Sequence, residues 1–236
     1  MWKFAPDSGC GKEGDPVWSQ NCPGRRLSKK RRSISSPPVV PRRQPVYAFL
    51  KRLFDICFSV FFGILLLIPM GIIALLIKLD SEGPVLFRQD RLGKDGKPFV
   101  IYKFRSMGLD AEADGPRWAE PDDSRCTRLG RILRKCRLDE LPQLWNILTG
   151  DMSLVGPRPE REFFYDQFET YIHGFRHRLA VTPGLTGWAQ INGGYDLLPE
   201  EKIVYDMHYI ENRSLKMDLI CIAKTLKLVF THKGAR

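Results

Sequence analysis

Two adjacent carboxylates, Asp139 and Glu140, follow a basic run that contains Arg134 and Arg137. Guanidinium groups form forked hydrogen bonds with phosphate oxygens, and carboxylates bind divalent metals or act as nucleophiles. Together these residue types are suited to phosphoryl transfer assisted by a metal ion. The alternative is that the two carboxylates only cap a helix, as an isolated Asp-Glu pair usually does.

The position of Pro142 predicts where the next helix begins. Proline is tolerated in the first turn of a helix, so we expect a helix that begins near Glu140, with Asp139 at its N-cap. A helix N-terminus attracts anions through its free backbone N–H groups. The sequence therefore predicts that the carboxylates, the arginines and a phosphate group meet at one helix start.

The elements around this cluster define the fold class. Two β-prone runs, 85–89 and 99–104, flank an Asp-Gly turn region and predict a hairpin, whose alternation places Lys103 and Arg105 on one face. Helices are predicted at 127–136, 141–148, 160–175 and 199–230, the last with a break near Asn212. We therefore expect an α+β fold that is mostly helical with a small β-hairpin.

Two of the predicted helices are amphipathic, and each apolar stripe has two interpretations. It can face the core of the domain, or it can rest on a membrane surface. The first stripe is Phe164, Phe168, Tyr171, Ile172 and Phe175; the second is Leu219, Ile222, Ala223, Leu226, Val229 and Phe230.

Residues 56–77 form an uncharged apolar segment that, as a helix, would be ~33 Å long and could cross a bilayer. Both of its flanks are basic, which gives a single crossing no preferred orientation. Pro69 removes a backbone donor and clashes with the Leu65 carbonyl, which favours a kink. We predict a re-entrant helix that enters and leaves the membrane on one side, against a spanning helix or a buried soluble one.

The formal charge of +10 is concentrated at the N-terminus, because residues 1–47 carry ten basic and three acidic side chains. The predicted organisation is a disordered basic tail over 1–46, a re-entrant membrane helix over 47–80, and a cytoplasmic catalytic domain with amphipathic interfacial helices over 81–236. A hydrophobic content of 43% excludes a wholly disordered chain, and six cysteines without framework spacing indicate reduced thiols. Nucleic-acid binding is disfavoured because the tail arginines are not interleaved with aromatic residues.

Six ordered segments resemble the bacterial sugar transferases, also called monotopic phosphoglycosyl transferases, and the resemblance extends over about residues 47–230. The segments are 51–55 (KRLFD), 83–89 (GPVLFRQ), 103–107 (KFRSM), 138–144 (LDELPQL), 150–159 (GDMSLVGPRP) and 183–190 (PGLTGWAQ).

The resemblance implies a reaction. A sugar 1-phosphate would pass from a nucleotide sugar, usually a UDP-sugar, to a polyprenyl phosphate such as undecaprenyl phosphate, with release of UMP, to begin assembly of a surface glycan. Asp139 would attack the phosphorus next to the sugar and form a covalent phosphosugar intermediate, and Glu140 would assist attack by the lipid phosphate. Mg²⁺ or Mn²⁺, held in part by Asp139, would neutralise the diphosphate.

The same resemblance implies roles for four basic residues. Arg134 matches a phosphate-binding arginine, and Arg158 matches a motif linked to the nucleotide end of the substrate. Lys103 and Arg105 match a basic motif and are also expected to bind the substrate's phosphates or nucleotide. For these four, surface ion pairing is the alternative. Arg137 is expected to bind phosphate because its guanidinium lies just before the dyad.

Pro69 matches the proline that breaks the family's membrane helix, which places the chain at the cytoplasmic face of the bacterial inner membrane. Ile68 stands where the family often has serine, and this departure keeps the spanning alternative open. The expected partners are the two substrates and membrane lipids, with no nucleic acid. Further possible partners are a second copy of the chain and downstream glycosyltransferases. The alternative function is that of a non-catalytic interaction protein on the same scaffold.

Overall fold

A computed structural model describes residues 34–35, 41–113, 115, 123–194 and 197–231. Within them the fold is α+β and mostly helical, with three two-stranded sheets. The predicted fold class is thereby confirmed. Most of the predicted basic tail lies outside the described residues, although strand β1 (Ile34–Ser35) pairs in parallel with β5 (Ile172–His173).

The apolar segment forms two helices, α1 (Pro45–Leu65) and α2 (Leu67–Asp80). The axis of α2 is bent by 62° away from that of α1. No helix of the described chain is by itself long and apolar enough to cross a membrane, whereas the bent pair has the necessary length and composition. The predicted kink is confirmed, but the chain bends at Leu66. Pro69 lies in the first turn of α2, where its missing N–H breaks no helical hydrogen bond.

Helix α1 turns a polar stripe towards the rest of the protein. Tyr47 and Lys51 hydrogen-bond to Asp218 at 3.0 and 2.9 Å, and Asp55 accepts a bond of 3.0 Å from the backbone N–H of Leu154. Because Tyr47, Lys51 and Asp55 are spaced by four residues, they lie on one face of the helix. The opposite face exposes large apolar side chains.

The predicted hairpin consists of β2 (Leu86–Leu92) and β3 (Pro98–Phe104), which pair antiparallel. Its turn contains Asp95 and Gly96 with φ of 58° and 74°, a conformation that the Asp-Gly sequence favours. Beyond it, α3 (Arg128–Lys135) leads into a 3₁₀ turn (Leu138–Glu140) and then α4 (Gln143–Thr149).

The predicted helix start near Glu140 is wrong by three residues. Arg137 adopts the left-handed conformation with φ of 57°, and the chain then forms i→i+3 bonds, from Glu140 N–H to the Arg137 carbonyl and from Leu141 N–H to the Leu138 carbonyl. Asp139 is therefore not an N-cap. The dyad lies in a tight turn in front of α4.

The next segment also differs from its prediction. Strand β4 (Ser153–Val155) pairs in parallel with β6 (Gly184–Thr186), and between them α5 (Glu162–Glu169) is shorter than the helix expected over 160–175. The Glu169 carboxylate accepts hydrogen bonds from the N–H groups of Gly174 and Arg176 and turns the chain. A 3₁₀ segment (Phe175–Ala180) follows.

Helices α6 (Trp188–Asn192), α7 (Pro199–Asn212) and α8 (Leu215–Thr231) complete the described chain, with the predicted break after Asn212. The main core gathers side chains from β3, α4, β4, α5, α7 and α8, and a smaller cluster joins α2 to α3. The described cysteines, which are Cys57, Cys126, Cys136 and Cys221, form no disulfide with one another.

The structure separates the two amphipathic stripes. Phe164, Phe168 and Phe175 are buried in the main core, so the first stripe is core-facing. In α8 the opposite holds, because Leu219 and Leu226 are 59% and 56% exposed while Met217 and Cys221 face the core. The second stripe is therefore divided in its described part: Leu219 and Leu226 are apolar surface, whereas Ile222 packs against the core.

Candidate active site

The Asp139–Glu140 dyad is buried although it consists of two carboxylates. The side chains are held in the 3₁₀ turn between α3 and α4, and the residues are 7% and 9% exposed. Two adjacent buried negative charges are costly unless cations compensate them. In this dyad, cations compensate the charge of Glu140 more than that of Asp139.

Glu140 is the paired member of the dyad. Its Oε1 accepts a hydrogen bond of 3.1 Å from Nζ of Lys103 and a short one from Nη2 of Arg158. Burial favours the neutral acid, but Arg158 and Lys103 outweigh it and hold the pKa of Glu140 well below its usual range. Glu140 is therefore an anion that fixes two cations in place.

Asp139 is the member that remains available. No residue of the described chain donates a hydrogen bond to its carboxylate or pairs with it at ion-pair distance. Burial raises the pKa of Asp139 to about 6, with the neighbouring charge of Glu140 adding to the rise and Lys103 and Arg134 opposing it. At neutral pH Asp139 is thus ionised, but more basic than an ordinary aspartate.

Lys103 reaches the dyad because Asn146 joins β3 to α4. The side chain of Asn146 is fully buried, donates to the Val100 carbonyl at 2.7 Å and accepts from the Tyr102 N–H at 3.1 Å. These two bonds place the strand that carries Lys103 beside the helix that follows Glu140.

A cavity of about 920 Å³ opens at the dyad. All seven residues that the sequence proposed for catalysis or substrate binding line it. They are Lys103, Arg105, Arg134, Arg137, Asp139, Glu140 and Arg158.

Arg105 has a second, structural task in this wall. Its Nη2 donates to the carbonyl and hydroxyl of Ser81 at 2.6 and 2.9 Å, which ties the end of β3 to the chain after α2. Gly83 has φ of 115°, and a Cβ there would lie 2.1 Å from Nη1 of Arg105. The guanidinium is thus packed against the backbone as well as bordering the cavity.

Sequence reasoning missed five charged residues that line the cavity, which are Arg88, Arg91, Glu112, Glu160 and Lys202. Glu160 accepts hydrogen bonds from Lys202 at 2.9 Å and from Arg91 at 3.3 Å. Burial opposes ionisation, but these cations outweigh it and lower the pKa of Glu160 to about 2. A signal was present, because Lys202 and Asp206 interrupt an otherwise apolar stripe of α7 that faces the core.

The donor set of the cavity fits a magnesium ion shared with a substrate. Within the described residues no three His, Cys, Asp or Glu side chains gather into a metal site of their own. Mg²⁺ is commonly held by one or two carboxylates together with substrate phosphates and water, and it does not require an all-protein cage. Asp139 is the carboxylate of the dyad that cations do not already engage.

Fold and cavity together place a buried carboxylate dyad among basic side chains, next to helices with exposed apolar faces. The chain belongs to the bacterial sugar transferase family, whose family model matches residues 46–232. The resemblance inferred from the six sequence segments is thereby confirmed.

Three relatives illustrate the similarity. A UDP-N-acetylgalactosamine-undecaprenyl-phosphate N-acetylgalactosaminephosphotransferase of Aeromonas hydrophila is 47% identical over 81% of this chain and 46% of the relative. UDP-glucose:undecaprenyl-phosphate glucose-1-phosphate transferases of Escherichia coli and Caulobacter vibrioides are 39% and 40% identical, over 89% and 78% of this chain and 47% and 71% of the relatives. The chain thus spans about half the length of the first two.

Proposed function

We propose that the chain transfers a sugar 1-phosphate from a UDP-sugar to undecaprenyl phosphate and releases UMP, which begins the assembly of a surface glycan. The observation that carries the proposal is the shared cavity, in which a buried carboxylate dyad meets the five basic residues that the sequence predicted. The names of the relatives support the reaction class, and they include both glucose and N-acetylgalactosamine as the sugar.

In the proposed mechanism Asp139 is the nucleophile. An oxygen of its carboxylate forms a bond to the phosphorus next to the sugar, and the bond from that phosphorus to the UMP oxygen breaks, so that UMP leaves with the electron pair. An oxygen of undecaprenyl phosphate then attacks the same phosphorus and the bond to Asp139 breaks. The raised pKa supports this role, because a more basic carboxylate is the better nucleophile while it is still ionised at neutral pH.

Glu140 organises the cations in this proposal. Since its pKa is depressed, Glu140 is a weak base and is better suited to hold Lys103 and Arg158 than to accept a proton. The N–H groups of Lys103 and Arg158, with those of Arg134 and Arg137, would then donate to the phosphate oxygens. The positive charge of the site would be in place before the substrate binds. The chain would thus orient the diphosphate for attack by Asp139.

Asp139 would also hold Mg²⁺, or Mn²⁺ in its place, together with the diphosphate oxygens. The ion would neutralise charge on the phosphates and on the leaving group. The position of the Asp139 carboxylate in the wall of the cavity supports this cofactor, because one carboxylate together with substrate phosphates is a common set of ligands for Mg²⁺.

We further propose that the protein sits at the cytoplasmic face of the bacterial inner membrane, with α1 and α2 as a re-entrant pair. The apolar exposure of these helices supports the placement, since Ile64 and Ile68 are 72% and 75% exposed. An aqueous surface rarely carries so continuous an apolar patch. The exposed stripe of α8, with Leu219 and Leu226, would rest on the same membrane.

The test is UMP release by the full chain in lipid nanodiscs, with Mg²⁺, undecaprenyl phosphate and a panel of UDP-sugars. We expect release with at least one sugar, loss of release in Asp139→Asn, and retention in the control Asp151→Asn, whose side chain is exposed and outside the cavity. Mass spectrometry with UDP-sugar alone should show a phosphosugar on the peptide that carries Asp139. No release with any sugar would contradict the activity, and turnover without the adduct would contradict the covalent step.

A further inference from the structure

Arg158 stands on an irregular segment, residues 156–161, between β4 and α5. Its guanidinium bonds to Glu140, so the position of its main chain decides where the charge lies in the cavity. Strands hold it on either side of Arg158, because the N–H of Gly184 in β6 donates to the Pro157 carbonyl at 2.9 Å and the N–H of Leu92 in β2 donates to the Glu160 carbonyl at 3.1 Å. The hydrogen bonds of the two carbonyl groups between them, those of Arg158 and Pro159, show what fixes the main chain at Arg158 itself.

Two arginines from other parts of the fold hold the segment. Nη2 of Arg178 donates to the carbonyl of Arg158 at 2.9 Å, and Nη1 of Arg91 donates to the carbonyl of Pro159 at 3.2 Å. Arg91 also borders the cavity, whereas Arg178 does not. Arg178 therefore acts on the cavity only through the chain that it holds.

Arg178 is itself held by a buried partner. It is 1% exposed, its Nε donates to Oδ2 of Asp206 at 2.6 Å, and its guanidinium lies over the ring of Phe175 at 4.8 Å. Burying such a pair gains little stability over apolar side chains of similar volume. What apolar side chains cannot supply is a directed, charged donor to the Arg158 carbonyl.

Helix α7 provides a common base for this arrangement. Asp206 orients Arg178, and Lys202, one turn earlier on the same face, donates to Glu160 at 2.9 Å. Arg158 and Glu160 are thus held by one helix. A rigid support of this kind is what a binding group needs if it is to meet a ligand without reorganising.

We propose that Arg178, oriented by Asp206, is a positioning residue for Arg158, and that it holds the Arg158 guanidinium where it binds the diphosphate of a nucleoside diphosphate. The inference rests on the proposed function in one respect, namely that Arg158 meets the nucleotide part of the substrate. Arg178 itself does not touch that ligand.

The experiment measures the affinity of the full chain for UDP by titration calorimetry in nanodiscs. Arg178→Met removes the N–H groups that donate to Asp206 and to the Arg158 carbonyl. Arg178→Lys keeps a buried cation beside Asp206, but an ammonium group lacks the planar fork by which a guanidinium donates to both acceptors at once. We expect each to weaken UDP binding by at least about tenfold, the scale of one charged hydrogen bond. The control Arg176→Met, in the same 3₁₀ segment, removes only the pairing with exposed Asp166 and should bind as the wild type does.

A double variant separates positioning from general support. If Arg178 acts through the Arg158 side chain, Arg178→Lys should reduce UDP affinity less than about twofold further once Arg158→Ala is present. An equal loss in both backgrounds would overturn the inference, as would an unchanged affinity of Arg178→Lys in the otherwise intact chain. Wild-type protein that binds no UDP would also overturn it, whereas UDP binding without UMP release would contradict only the proposed function.

Discussion

The dyad shows how one turn of chain gives two carboxylates opposite properties. Glu140 points to Lys103 and Arg158 and has a depressed pKa, while Asp139 is buried beside that fixed negative charge and has a raised one. Two titratable groups whose pKa values are pushed apart are typical of sites in which each has its own role. The different pKa values of the two carboxylates therefore depend on which of them Lys103 and Arg158 contact, and not on the residue types alone.

The first prediction concerns the pH dependence of the covalent step. Below its pKa of about 6 Asp139 is protonated and loses the electron pair that would attack phosphorus. The rate of UMP release in a single turnover with UDP-sugar alone should be level near pH 7 to 8 and should fall about tenfold per pH unit below about 6. Rapid-quench measurements would show this.

Lys103→Met provides the control for that profile. Because the charge of Lys103 lowers the pKa of Asp139, its removal should move the midpoint to higher pH. A profile that stays level down to pH 5, or a midpoint that moves to lower pH in the variant, would contradict the assignment of Asp139.

The second prediction is that the Asp139 carboxylate costs stability at neutral pH. Its pKa is about 6 in the folded protein against 3.8 as the ordinary value, so the folded chain binds the proton more tightly and loses stability as the pH rises between these values. The difference corresponds to about 3 kcal/mol. Asp139→Asn should therefore raise the free energy of unfolding above pH 6 by up to that amount.

Denaturant titration at pH 7.5 and pH 4 measures the effect. The gain of Asp139→Asn should disappear at the lower pH, where the wild-type carboxyl is protonated in the folded protein. Asp151→Asn, at an exposed position, should show no such pH dependence. An Asp139→Asn protein less stable than wild type at pH 7.5 would contradict the prediction.

At the scale of elements, the join between β3 and α4 determines whether the site forms. Asn146→Ala would leave the Val100 carbonyl and the Tyr102 N–H without their partner and would free β3, which carries Lys103. We expect the free energy of unfolding to fall by about 2–4 kcal/mol and UDP affinity to fall with it.

Asn192→Ala is the matched comparison for this change. Among the described residues its side chain bonds to the Trp188 carbonyl within α6 alone, so its loss should cost less than about 1 kcal/mol. A similar loss of stability in both variants would mean that the two bonds of Asn146 are not what joins the strand to the helix.

The sequence predicted those elements whose local pattern decides their structure. The hairpin was predictable because alternation and the Asp95-Gly96 turn agree, and the break after Asn212 was also found. The start of α4 was not predictable, since it depends on Arg137 in a left-handed conformation that Arg does not favour locally. The end of α5 depends on the Glu169 side chain, which binds two N–H groups beyond the helix.

The residues of the site were also predictable only where the local sequence marks them. Asp139, Glu140 and the arginines near them were found because they are close in the sequence or match a family segment. Glu160 and its partners were missed because the contacts of Lys202 and Arg91 with it join residues far apart in the chain. Single-residue chemistry is readable from the sequence, whereas a long-range pairing of charges requires the fold.

At the scale of the whole molecule, α1 reverses the usual arrangement of a surface helix. Its polar residues Lys51 and Asp55 face the domain, and apolar residues such as Phe61, 61% exposed, face outwards. A helix with this arrangement is stable where the outer medium is apolar. The polar stripe therefore fixes α1 to the domain that holds the dyad, and in the proposed membrane placement it also sets the position of the cavity relative to the membrane.

The last prediction tests how the bend of that pair sets the topology. Pro69→Ala restores an N–H that can bond to the Leu65 carbonyl and removes the ring that clashes with it, so α1 and α2 can join into one straight helix. A straight helix would cross the bilayer and carry the N-terminal flank to the other side.

Impermeant maleimide labelling in sealed inverted vesicles would locate thiols introduced by Arg43→Cys and Lys216→Cys in a cysteine-free background. In the proposed re-entrant topology both flanks face the cytoplasm, so both thiols should be labelled while Pro69 is intact. With Pro69→Ala, labelling at position 43 should fall while that at position 216 persists. Pro199→Ala, at the first residue of α7, should leave both unchanged. If position 43 is protected while Pro69 is intact, the pair spans the membrane and the re-entrant proposal is wrong; if Pro69→Ala changes nothing, the polar stripe of α1 alone is sufficient to hold the bend at Leu66.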